Sequence, residues 1–232
     1  MTTDTTGTMW ASHGARLFRY DGTSWSVFHS ENSARQNNGS YAYQVIGRRW
    51  SVADSEGTNG LPYVSDADPR TPTEENPGGG FSSTEHWSQL KYPDQGTDIP
   101  LATGIEARLI EAEAELAVDD YAGMTAILQT LRDDSGVDFG GATLPAVATE
   151  AAAIDQLFEE RAFWLFLTGH RLGDLRRLMY QYGRAEDAVY PTGGYHKGGS
   201  YGNDVVFPVD FDEGTNTLYD PEACDVTSAS IN

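Results

Sequence analysis

The chain is short of lysine, of cysteine and of long apolar runs, and each shortage removes a class of function. Lys91 and Lys197 are the only lysines, and the net charge is -20. Nucleic acid and anionic membrane surfaces are bound through basic patches that displace counterions, so neither is an expected partner. The other basic residues are all arginine, the side chain suited to fixed, bidentate ion pairs. Cys224 is the only cysteine, which excludes an internal disulfide and a thiolate-cage metal site. No stretch approaches the ~20 apolar residues of a membrane span. The opening MTTDTTGTMW has neither the basic start nor the apolar middle of a secretion signal, so the sequence reads as a soluble protein. The histidines, at 13, 29, 86, 170 and 196, form no His-x-x-x-His pair. No serine sits in a Gly-x-Ser-x-Gly setting, and nothing calls for a cofactor.

What is present divides the chain in two. Residues 1–100 are rich in Gly, Asn, Ser, Pro and aromatics, with turn signals at Asp21-Gly22, Asn38-Gly39, Asn59-Gly60 and Pro77-Gly78. This part is expected to be loops with a few short strands, Ala15–Tyr20 and Trp25–His29 forming a hairpin across Asp21-Gly22. Residues 101–232 carry a helical period followed by a loop-rich tail. Thr103 and Glu106 make a capping box, after which Ile105, Leu109, Ile110, Ala112 and Leu116 recur on one face. Asp119-Asp120 ends that helix and caps a second, striped by Met124, Ile127, Leu128 and Leu131, which Gly136 stops. A third helix runs from near Thr149 to Gly169. A fourth spans Arg171–Tyr182 with Leu172, Leu175, Leu178 and Met179 inward, and Val205–Val209 reads as an extended edge segment. The predicted fold is therefore mainly α, with about four helices and a tetratricopeptide-like first pair.

The most informative stretch is FEERAFWLFLTGHRLGDLRR, Phe158–Arg177, in which charges interleave with the largest apolar side chains at helical spacing. Burial of such charges is tolerated only when they pair. Glu160, Arg161, Arg171 and Asp174 are therefore expected to form a structural ion network between consecutive helices, rather than a catalytic acid, base and anion clamp. EARLIEAEAEL (Glu106–Leu116), Glu160-Arg161 followed by GHRLGDLRR (Gly169–Arg177), and FPVDFDE (Phe207–Glu213), in this order and spacing, resemble the C-terminal half of the SusD/RagB family. That resemblance implies a non-catalytic glycan- or nutrient-binding subunit at the outer-membrane cell surface, working with a TonB-dependent outer-membrane transporter. Family members are roughly twice this long, with a signal peptide, a lipidated cysteine and additional tetratricopeptide-type helices. The chain is thus expected to be a C-terminal fragment whose 103–133 helices expose an apolar face and drive self-association.

Sugars stack their C–H faces on aromatic rings and offer hydroxyls to polar edges. Trp50 and Trp87 are the first candidates for such a surface, with Trp25, Tyr63 and Asn59 beside them, and Phe81 and Tyr92 further off. The competing reading is that loop aromatics pin loops to the core. The acidic pairs Asp54/Glu56 and Asp66/Asp68 and the cluster Asp210, Asp212, Glu213 invite a calcium reading. An EF-hand, however, needs glycine at its sixth and glutamate at its twelfth position, where counting from Asp210 gives Thr215 and Pro221. The glycine-rich strings Pro77–Phe81 and Thr192–Gly202 lack the setting of a phosphate cradle and read as mobile loops. Two other functions stay open: a glycoside hydrolase built on a carboxylate pair, and a helical protein-interaction module.

Overall fold

The computed structural model describes residues 2–3, 9–13, 16–20 and 25–28 at the level of backbone, and 52, 54–55, 57–77, 86–93, 97–98, 100, 102–194, 199–205 and 216–218. The protein is mainly helical, as expected, with five helices among the described residues. It divides into two compact units, one made of residues 1–52 and 63–169, the other of 53–62 and 170–232.

In the first unit, β1 (Thr2–Thr3), β2 (Met9–His13), β3 (Arg16–Tyr20) and β4 (Trp25–Phe28) form an antiparallel meander. The expected hairpin is there, with Tyr20 opposite Trp25 and Leu17 opposite Phe28; β1 and β2 were not foreseen. A second, two-stranded sheet pairs β5 (Thr73–Glu75) with β6 (Trp87–Gln89).

Three helices of this unit lie among the described residues. α1 (Gly104–Leu116) begins where the Thr103 hydroxyl accepts from the Glu106 amide, as the capping box demands. It ends in a short turn at Asp119, whose φ of 61° is a left-handed conformation that aspartate tolerates better than most residues. Asp120 then caps α2 (Tyr121–Asp134), accepting from the Gly123 amide at 2.7 Å. A β-carbon at 123 would lie 2.5 Å from the Asp120 carboxylate in its capping position, so glycine leaves room for the cap. α3 (Glu150–Trp164) starts on the Thr149 hydroxyl.

Leu109, Ala112 and Leu116 of α1 and Met124, Leu128 and Leu131 of α2 are buried, with α3 packed against both helices. α3 is buried over most of its surface from Ala153 to Trp164, the polar Gln156, Glu160 and Arg161 included. Ile110, placed inward by the sequence reading, is 58% exposed. It follows Leu109 directly, and one residue is about 100° around a helix of 3.6 residues per turn.

In the second unit, α4 (Arg171–Tyr180) is two residues shorter than expected and is followed by the single turn α5 (Glu186–Val189). The leucines at 172, 175 and 178 and Met179 are half-buried. Val205 is buried, and its carbonyl accepts from the Tyr190 hydroxyl at 2.9 Å; residues 206–209 lie outside the described residues. A bridge between Gly194 and Ser200 closes the base of the second glycine-rich string.

Candidate functional site

The densest chemistry in the described residues surrounds Glu160, in the first unit. A helix reading places Glu160 one turn before Trp164, and the indole nitrogen donates back to its Oε2 at 3.1 Å. Both carboxylate oxygens also receive arginine. Arg70 gives Nη1 to Oε2 at 2.7 Å and Nη2 to Oε1 at 3.3 Å. Arg132 of α2 gives Nε to Oε2 at 3.2 Å and Nη2 to Oε1. Arg70 has a second acid, Asp68, which accepts from the Arg70 amide (2.8 Å), Nε (2.8 Å) and Nη2 (2.6 Å). Two cations and two anions thus cancel within one cluster.

Aromatic rings enclose the Arg70 guanidinium: its central carbon lies 5.2 Å from the Phe139 ring, 5.1 Å from Phe163 and 4.9 Å from Trp164. Arg132 lies over the Phe139 ring as well, at 4.9 Å. Planar guanidinium groups stack on such faces while their edges bond to carboxylates, an arrangement lysine cannot copy. The side chains of Arg70 and Glu160 are each 3% exposed. Burial alone would raise the Asp68 carboxyl, but the bonds and charge of Arg70 outweigh it and hold the group below the usual carboxylate range. Burial likewise opposes the charge on Arg70, and Asp68 and Glu160 more than compensate, pushing it up. Neighbouring Glu159 is pushed up, first by desolvation and then by the charges of Glu160 and Asp66.

Chemically this is a clasp. Every oxygen of Glu160 and Asp68 is engaged by a donor. What it does is fasten segment 63–71 to α2 and α3. The Tyr63 ring works alongside it, 5.3 Å from Phe163 and 5.2 Å from Phe166, while the Thr71 hydroxyl bonds to the Tyr63 carbonyl at 2.9 Å.

The sequence-predicted residues fall in several places. Glu160 and Arg161 are both buried on α3. Arg171 and Asp174 belong to the second unit, where Asp174, 3% exposed, accepts from Arg177 at 3.0 Å. Tyr63 packs on the core as described. Trp87 is half-buried on β6, opposite Glu75, and its carbonyl accepts from Val52 at 2.8 Å. Trp25 lies in β4, while Trp50 and Phe81 lie outside the described residues. Asn59 is in the second unit, its amide donating to the carbonyls of Asp187 and, at 2.8 Å, Tyr190. Asp68, half of a suspected calcium pair, is instead the partner of Arg70.

Arg70 and Arg132 were not foreseen as partners of Glu160, nor Asp68 and Phe139 as companions of those arginines. Two signals pointed that way: the Asp68-Pro69-Arg70 spacing, which favours a local ion pair, and the position of Arg132 one turn beyond the inward Leu128. No family model matches the chain, nor does any curated protein or solved structure.

Proposed function

We propose that the chain is a capture protein for an extracellular oligosaccharide or related nutrient, of the SusD/RagB kind, corresponding to the C-terminal portion of that family and acting with a TonB-dependent outer-membrane transporter. The reading is supported by the three motifs in order. The observation that carries it is the engagement of Glu160, the acid of the Glu-Arg motif, by Arg70, Arg132 and Trp164. A motif acid so enclosed is scaffold, which favours binding over turnover.

Incubation with a panel of oligosaccharides, followed by calorimetry and product analysis, tests this. Affinity without released sugar is the expected result. Released sugar would replace the proposal with a hydrolase, and absence of any affinity across the panel would sink it.

A second reading, a helical interaction module, has its own observation. Ile110 and Val118 are 58% and 70% exposed, and α1 and α2 also carry a groove lined by Arg108, Ala126, Ile127 and Thr130. Sizing with light scattering separates the two readings: concentration-dependent association that Ile110→Ser weakens favours the module, and a sharp monomer peak counts against it.

A further inference from the structure

Within the second unit, segment 53–62 is tied to residues 187–192 through Asn59, which is half-buried. The Asn59 side chain has two N–H donors on one nitrogen, and that nitrogen meets two acceptors, the carbonyl of Asp187 and, at 2.8 Å, the carbonyl of Tyr190. Both carbonyls lie at the end of α5, where a helix leaves its last carbonyls without partners of its own, so the asparagine amide caps α5 from outside. Its neighbours close the same contact. The Thr58 amide donates to the Thr192 carbonyl at 3.0 Å, the hydroxyls of Thr58 and Thr192 are bonded to each other, and Gly57 runs so close that a β-carbon there would collide with the Thr192 carbonyl. An aspartate at 59 would bring acceptors alone and set a carboxylate against two carbonyl oxygens. The residue that follows is Gly60, and with no β-carbon on it its backbone nitrogen has the least hindered approach to an asparagine side chain. Ser55, Gly57 and Thr58 are exposed, which puts the segment among those that open at low cost.

We propose that Asn59-Gly60 is a self-modification site coupled to opening: when segment 53–62 leaves residues 187–192, Asn59 deamidates, and the aspartate or isoaspartate that results cannot re-form the lock. The Gly60 nitrogen gives its proton to hydroxide and attacks Cγ of Asn59. A C–N bond forms as the bond from Cγ to Nδ2 breaks, and ammonia leaves with that electron pair and a proton from water. Water then opens the succinimide ring; cleavage of the new C–N bond gives aspartate, and cleavage of the original peptide bond gives isoaspartate. Water is the only other reactant, and no atom changes oxidation state. While the segment is closed, the Asp187 and Tyr190 carbonyls hold the departing nitrogen in place, which confines the reaction to the open state.

The full chain is incubated in mildly alkaline buffer, once native and once unfolded in guanidinium chloride, and conversion is followed by mass spectrometry of the tryptic peptide 50–70. Asn59 is the only asparagine or glutamine in that peptide, so a mass gain there reports this residue alone. Conversion is expected to be roughly tenfold slower or more in the native chain, where only the open fraction reacts. Equal or faster conversion in the native chain overturns the proposal. Hydrogen exchange on a partly converted sample then compares converted with intact molecules. Residues 53–62 are expected to exchange roughly tenfold faster once converted, with α1 to α3 unchanged, and Asn59→Asp is expected to do the same from the start. Unchanged exchange over 53–62 in either sample would show that the amide locks nothing, and acceleration that spreads through α1 to α3 would make the effect global unfolding; each of these overturns the proposal.

Discussion

α3 and α4 carry the same kind of sequence, charges set among large apolar residues, yet the two helices use it differently. In α3 the charge goes inward, and Glu160 is closed off by two arginines and an indole. In α4 the only fully buried residue is Asp174, which accepts from an Arg177 side chain that is one-third exposed, while the leucines around it are half-buried. A shared pattern thus gives a rigid node where arginines converge from a loop and a neighbouring helix. Where the arginine comes from the next turn of the same helix, it gives a more hydrated pair. Local pairs of this second kind contribute little, whereas breaking the first kind strands charge in the interior.

The largest effect should therefore come from Glu160→Ala, which strips Arg132 of its carboxylate and leaves Arg70 with Asp68 alone; a loss of about 3 to 5 kcal/mol is expected. Chemical denaturation measures it, and a loss under 1 kcal/mol would remove the distinction between the helices. Leu128→Ala, in the apolar part of the same unit, is expected to cost about 2 to 5 kcal/mol, giving a reference for ordinary core damage. Asp174→Asn should cost less than either, about 1.5 kcal/mol, because water can reach Arg177. Asp120→Ala removes the α2 cap and is expected to cost about 1 kcal/mol, whereas Gly123→Ala displaces the cap but gains about 1 kcal/mol of helix propensity, for a net change near zero.

pH sharpens the comparison further. The Asp68 carboxyl is held below its unfolded value of 3.8, so the stability it supplies is complete above that value and is lost as pH falls through the lower, folded one. Asp68→Asn should flatten this acid limb in urea titrations. Lys91 gives a signal of the same sign in a separate, alkaline window. Its amine is depressed from 10.5 to about 8, the unfolded chain binds the extra proton between those values, and stability should rise with pH across that window. In Lys91→Met the rise should vanish.

The helices were legible because their signals are local. Thr103, Asp120 and Thr149 each bond to the amide three residues on, and a cap of that kind is written within four letters. Ile110 was misread because apolarity alone does not separate it from Leu109 one residue away; the packing of α1 on α2 and α3 decides which turns inward. The clasp was legible by half. The Glu160 position announced a buried charge, but its partners lie 90 residues away at Arg70 and 28 away at Arg132. No helical period links residues across such separations, and only the folded chain brings them together.

The neutrality of the clasp divides the molecule's response to ionic strength. Its two positive and two negative groups cancel, so the -20 of the chain is carried elsewhere, where added electrolyte reaches it and weakens like-charge repulsion within about 10 Å at 0.1 M. Raising sodium chloride should make the protein harder to unfold while changing the cost of Glu160→Ala far less, since the side chains of Glu160 and Arg70 are each 3% exposed.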